Sequence, residues 1–155
     1  MTDMDRDELL PAVRSAIAAA PNAESAMKQT VRLLKDGVAD YTWVGIYVLD
    51  GDQLVLGPFL GKPSPHTRIP LGRGICGAAA AEKATIVVED VNADPRYLAC
   101  SIDTKSEIVV PIMQDGEVFG EIDIDSDRPA AFGPRDRALL EPIASLLAER
   151  LAEGM

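Results

Sequence analysis

Two kinds of side chain in this sequence could do chemistry: two cysteines, Cys76 and Cys100, and a run of carboxylates, Glu121, Asp123, Asp125 and Asp127. The acids alternate with Ile122, Ile124 and Ser126, and on a strand the two-residue period puts all four on one face. A solvated face is the ordinary account of such a pattern. Same-sign neighbours repel, however, and no lysine alternates among them to relieve that. A site that uses carboxylates, to hold an ammonium or to donate a proton, explains the run better. Glu107, at the start of the neighbouring strand, can join them. Trp43, the only tryptophan, and Tyr47 are four apart on a strand and share a face, either as core or as walls of a small-ligand pocket.

The cysteines are 24 positions apart with no C-x-x-C, and two are too few for a zinc site of four thiolates. Cys76 sits among Ile75 and a run of alanines, which suits a buried small hydrophobe. Cys100 lies in an irregular polar stretch, where a thiol is accessible and can react. Spacing alone leaves both readings open. Residues 72–77, GRGICG, match G-x-G-x-x-G, but the context fails. The preceding strand is short and holds Pro70, and the positions between Gly77 and Glu89 are too few for a crossover helix and a strand. No Gly-Lys-Ser/Thr follows, so it is not a phosphate loop either. It reads as a tight turn into a short helix whose first N–H groups favour a nearby anion. His66, the single histidine, reads as an exposed loop residue.

These residues need a scaffold, and 155 residues with 47% hydrophobic content supply one domain over 1–155 with a sizeable core. The net charge of −10, with no basic cluster, argues against nucleic acid. No apolar run is long enough for a membrane span, and the acidic start MTDMDRDELL is unlike a secretory leader, so a cytoplasmic protein is expected. Leu9, Leu10, Val13, Ile17 and Ala20 predict a first helix over 5–20, with Pro11 confined to its first turn. Ala26 to Leu34 predict a second, ending at Gly37. Alternation then predicts strands over 43–49 and 53–60 around Asp50-Gly51, a short strand at 68–71 and a short helix over 77–82. A strand at 85–88, a long loop over 89–104 and a hairpin of 108–113 with 118–124 follow. Pro134 opens the last helix. The fold class is α+β, a central, mostly antiparallel sheet with N- and C-terminal helices. The last helix carries Leu139, Ile143, Leu146 and Leu147 beside a first helix of similar pattern. One sheet face is not expected to cover both stripes, and paired helices of a homodimer would.

Several segments together resemble one family. They are Trp43 to Tyr47, Leu54 to Phe59, Arg68 to Gly77, Glu89-Asp90-Val91, Leu98-Ala99-Cys100, Ser106 to Pro111 and Asp123-Ile124-Asp125-Ser126. In that order they resemble the free methionine-(R)-sulfoxide reductases over about residues 41–127. The resemblance implies a GAF-type fold, a homodimer formed through terminal helices, and reduction of free L-methionine-(R)-sulfoxide by cysteine chemistry. By position, Cys100 is implied as the nucleophile that becomes a sulfenic acid, and Cys76 as a second family cysteine. Glu107, Asp123 and Asp125 are implied as carboxylates that contact the substrate, and Trp43 and Tyr47 as walls around its methylthio end. No cofactor or metal is implied; thioredoxin or another thiol is the reductant. One departure bears on recycling: many members carry a third, resolving cysteine before the Arg-Ile-Pro segment, and the loop here, GKPSPHT, has none. Ser101 also stands where many members have Asp. Resolution by Cys76 and direct attack by an external thiol both follow from that. The alternative function is a non-catalytic GAF-type module that senses a small ligand or redox state.

Overall fold

The computed structural model describes residues 5–97 and 103–153. Two hairpins form the centre of a six-stranded sheet. Strand β1 (Trp43–Asp50) turns at Gly51 (φ 64°) into β2 (Gln53–Leu60), and β5 (Ser106–Gln114) turns through Asp115 and Gly116 into β6 (Glu117–Ser126). Both turn residues of the second hairpin have positive φ (54° and 79°), as two-residue hairpin turns favour. With the short strands β3 (Arg68–Pro70) and β4 (Ile86–Val88) at the edges, the order is β3-β2-β1-β6-β5-β4 and every pairing is antiparallel. The α+β class expected from the sequence, a central antiparallel sheet with N- and C-terminal helices, is the architecture observed.

Alternation gives the sheet two unlike faces. Val44, Ile46, Ile108, Val110, Ile112, Ile122 and Ile124 project to one side. There they meet α2 (Ala23–Gly37) and α4 (Pro134–Ala152), and α1 (Arg6–Ala19) packs on those two helices. Burying such side chains stabilises by about 1.5–3 kcal/mol each. The other side carries Trp43, Tyr47 and Val109, covered by α3 (Gly74–Glu82) through Ile75, Cys76, Ala79 and Ala80. The acids of β6 face this second side.

The helices depart from expectation in two ways. Helix α1 starts at Arg6, capped by Asp5, whose side chain accepts from Asp7 N at 2.9 Å. Pro11 therefore sits in the second turn, not the first, and costs the bond its missing N–H would make to Asp7 O. The helical stripes are also covered within one chain. Leu9, Val13 and Ile17 of α1 and Leu139, Ile143 and Leu147 of α4 are buried, because α1 packs on α4 as well as on α2, and Leu146 of the same stripe is half-buried. A buried knot joins the two: Arg6 Nε lies 2.8 Å from Asp136 Oδ1, which also accepts from the Tyr41 hydroxyl. The stripes thus do not demand a second copy. Smaller differences are a 3-10 turn at Val91–Ala93 inside the expected loop, and the start of α3 at Gly74 rather than Gly77.

Candidate active site

Register, not proximity in sequence, assembles the site. Across the centre of the sheet Trp43 pairs with Asp125, Gly45 with Asp123 and Tyr47 with Glu121, while Glu107 of β5 pairs with Asp125 from the other side. Glu107, Glu121, Asp123 and Asp125 are 4%, 0%, 2% and 4% exposed, so this is a core of carboxyl groups and not a solvated face. Asp127 does not join them. It lies just past the end of β6 and is exposed.

Such a core has one electrostatic consequence. Burial pushes the pKa of all four carboxyls upward, and their mutual repulsion adds to it: Asp123 and Asp125 act on Glu107, and Asp123 acts on Glu121 and Asp125. Like charges this close cannot all ionise, so the cluster holds protons that exposed carboxylates would have lost. Glu107 is close enough to share hydrogen bonds with both Asp123 and Asp125. Both Glu121 oxygens and one oxygen each of Asp123 and Asp125 make no hydrogen bond. Unpaired buried acceptors of this kind are costly and call for a donor from a ligand.

Cys76 is the third residue of α3, reached through Gly72 and Gly74, both at positive φ (83° and 69°). Gly77 is needed too, since a Cβ there would lie 2.7 Å from Pro70 O. The glycine motif is therefore a turn that seats α3 against the sheet, as its failed nucleotide context implies. The Cys76 thiol is buried and donates to Asp123 Oδ2 at 3.3 Å. Burial, and then the nearby acids Asp123, Glu121 and Glu107, push its pKa up. It is a thiol kept protonated, not a pre-formed thiolate. Cys76, Glu107 and Asp123 each offer one ligand atom within 4.8 Å of the others, so a small cation could be held there.

Two cavities flank the acids. The larger, about 110 Å³, is lined by Thr42, Trp43, Lys62, Asp103, Thr104 and Asp125 among others. The smaller, about 20 Å³, lies beside Tyr47, His66, Cys76, Glu107 and Asp123. Trp43 is held as a wall: its ring stacks on Phe59 at 5.7 Å, and its Nε1 donates to Lys62 O at 2.8 Å. Its six-membered ring lies over Gly45, where a Cβ would be 2.3 Å away. Tyr47 OH donates to His66 O at 2.8 Å, and His66 is half-buried rather than exposed.

The structure thus brings together Trp43, Tyr47, Cys76, Glu107, Asp123 and Asp125 among the residues singled out from the sequence. Cys100 lies outside the described residues. Sequence reasoning missed Lys62 and Thr42 as cavity walls and Gly45 as the platform for the indole. A glycine between two aromatics on one strand face is the signal that could have found the last.

Comparison with known proteins agrees with this geometry. Residues 22–151 match the GAF domain. The free methionine-R-sulfoxide reductase of Escherichia coli is 38% identical over 126 residues, which is 81% of this chain and 76% of that protein. The X-ray structure of free methionine-R-sulfoxide reductase from Neisseria meningitidis in complex with its substrate is similar at a TM-score of 0.91 and 39% identity, over 98% of this chain and 93% of that one. The type II free methionine-R-sulfoxide reductase of Thermoplasma acidophilum gives 0.81 and 44%, over 84% and 93%. With that likeness spanning nearly the whole fold, the chain belongs to the GAF domain family and, within it, to the free methionine-R-sulfoxide reductases.

Proposed function

We propose that this chain reduces free L-methionine-(R)-sulfoxide to L-methionine with Cys100 as the nucleophile. The observation that carries the reading is the proton-holding carboxyl core, Glu107, Asp123 and Asp125, beside a cavity walled by Trp43. A sulfoxide oxygen leaves sulfur only as it gains a proton, so acids that burial and mutual repulsion make hold their protons above the ordinary carboxylate range suit the step. The same acids, once ionised, hold the ammonium that a free amino acid has and a peptide-bound methionine lacks.

In the proposed sequence the Cys100 sulfur attacks the sulfoxide sulfur, and oxygen and the thiol proton end on Cys100 as a sulfenic acid while methionine leaves. The sulfenic acid then condenses with a second thiol, forming a disulfide and releasing water. With no cysteine in the 61–67 loop, Cys76 is the thiol we assign to that step. Asp123, which accepts the Cys76 proton at 3.3 Å, is the group placed to take it away. A thioredoxin-like dithiol in the cytoplasm supplies two electrons and two protons to reopen the disulfide. A homodimer belongs to the proposal through the family resemblance, not through the helical stripes; a single-chain mass by light scattering at micromolar concentration overturns that part.

Loss of free methionine sulfoxide, followed by stereoisomer with a thiol reductant, tests the reading. The R form is expected to disappear while the S form and peptide-bound sulfoxide persist. Comparable rates on the S form, or ligand binding without turnover as in a sensor, overturn it. Cys100→Ser is expected to abolish even a single turnover. Cys76→Ser is expected to release one methionine per site and then lose thioredoxin-supported turnover; normal turnover removes Cys76 from the chemistry.

A further inference from the structure

The carboxyl core accounts for one end of a zwitterion and leaves the other without a partner. The larger cavity has Asp125 in its wall, with Oδ1 unpaired and the residue 4% exposed, and Asp127 at its edge. A free amino acid entering it brings a carboxylate as well as an ammonium, and a carboxylate placed among aspartates is repelled unless a cation is present. Among the described residues lining this cavity, Lys62 is the only cation. We propose that Lys62 is the residue that binds the α-carboxylate of the substrate, and so sets the preference for a free amino acid over one with its carboxyl group blocked. The proposal rests on the reductase reading above and names the recognition it requires.

The geometry positions Lys62 for this. Its backbone is fixed to the cavity wall, since its carbonyl accepts from Trp43 Nε1 at 2.8 Å. The preceding Gly61 has φ 127° and passes so close to the indole that a Cβ would lie 2.7 Å from Trp43 Cδ1. The turn at 61–62 is therefore seated on the same ring that walls the cavity, and the lysine stem starts at its rim. The ammonium reaches across to Asp103 Oδ2 at 2.6 Å, with both residues exposed at 74% and 58%. An exposed pair of this kind is weak and exchangeable. A substrate carboxylate competes with Asp103 for the same ammonium, and Asp103, freed from it, adds to the negative wall that the substrate ammonium faces. The Asp103 and Asp127 carboxylates keep Lys62 charged across the working pH range.

The test compares L-methionine-(R)-sulfoxide with its carboxamide, which keeps the ammonium and loses the negative charge. Binding is read by calorimetry and turnover by methionine formed, with the full chain. Lys62 is exposed, so substitution does not put folding at risk. Lys62→Gln is expected to raise Kd and KM for the acid about tenfold and those for the amide less than twofold, with Lys62→Arg recovering most of the loss. Asp103→Asn is expected to tighten the acid a few-fold by removing the competitor. If Lys62→Gln changes acid and amide equally, or neither, the assignment of Lys62 is overturned while the reductase reading stands. If the acid binds with this charge dependence and no methionine forms, Lys62 is supported and the reductase reading falls. Failure of the wild-type protein to bind either compound overturns both.

Discussion

Asp125 is the residue asked to do most, because it lines the cavity, pairs across the sheet with both Trp43 and Glu107, and keeps its proton through burial and the pressure of Asp123. Asp125→Asn keeps the shape and removes the acid, so kcat/KM for free methionine sulfoxide is expected to fall about 10²-fold or more. A loss of only a few-fold would take Asp125 out of the chemistry. Glu121 differs: it is fully buried, and neither oxygen has a hydrogen bond. Its pKa is raised, so the native state holds a proton that the unfolded chain releases, and Glu121 burdens the fold increasingly as pH rises. Glu121→Gln is therefore expected to stabilise by about 1–3 kcal/mol at pH 8 and by little at pH 5, read by urea denaturation at both. The alternation of 121–125 made this face legible in the sequence. What alternation could not show is that Asp127 falls past the strand end, or that the face is buried, because burial depends on α3 arriving over it from elsewhere in the chain.

Elements were legible where period and turn chemistry agree. β2 was expected over 53–60 and is found there, and both hairpins turn where Asp-Gly pairs demand positive φ. Pro11 shows the opposite case: propensity argues against it in a second turn, yet burial of Leu9, Val13 and Ile17 against α2 and α4 outweighs one lost hydrogen bond. The wall of the cavity is likewise a property of β1 and not of one residue. Trp43 can lie flat only because Gly45, two residues on along the same face, has no side chain, and the ring cannot retreat while stacked on Phe59 and bonded to Lys62 O. Gly45→Ala is expected to cost about 1–3 kcal/mol by overpacking and to raise KM for the sulfoxide by displacing the ring. An unchanged midpoint in chemical denaturation and an unchanged KM would show that the indole has room to move.

At the scale of the whole molecule, the sheet separates two tasks. The helix-covered face is apolar and holds the fold together, while the α3 face stores like charges that oppose it. Every carboxyl in that store has a raised pKa, so its favourable contribution is complete below the ordinary carboxylate range and is lost as pH rises through the raised values. Asp94 and Asp103, held down by Arg96 and Lys62, work in the other direction, but both pairs are exposed enough for water to screen them. The melting temperature without added ligand is thus expected to be lower at pH 8 than at pH 6. A bound ammonium reverses the sign of the problem, since it favours the ionised carboxylates that the protein alone disfavours. L-methionine, which carries the ammonium and the methylthio group but no reactive oxygen, isolates this effect from turnover. At a hundred times its Kd it is expected to add about 2.7 kcal/mol, or roughly 5–11 °C for a chain of this size. Its binding should also tighten from pH 6 to pH 8 and release protons, seen as a dependence of the calorimetric heat on the buffer's ionisation enthalpy. A methionine affinity that is flat across that range, with no proton release, would mean that the ammonium is held elsewhere and that the buried acids serve the sulfoxide oxygen alone.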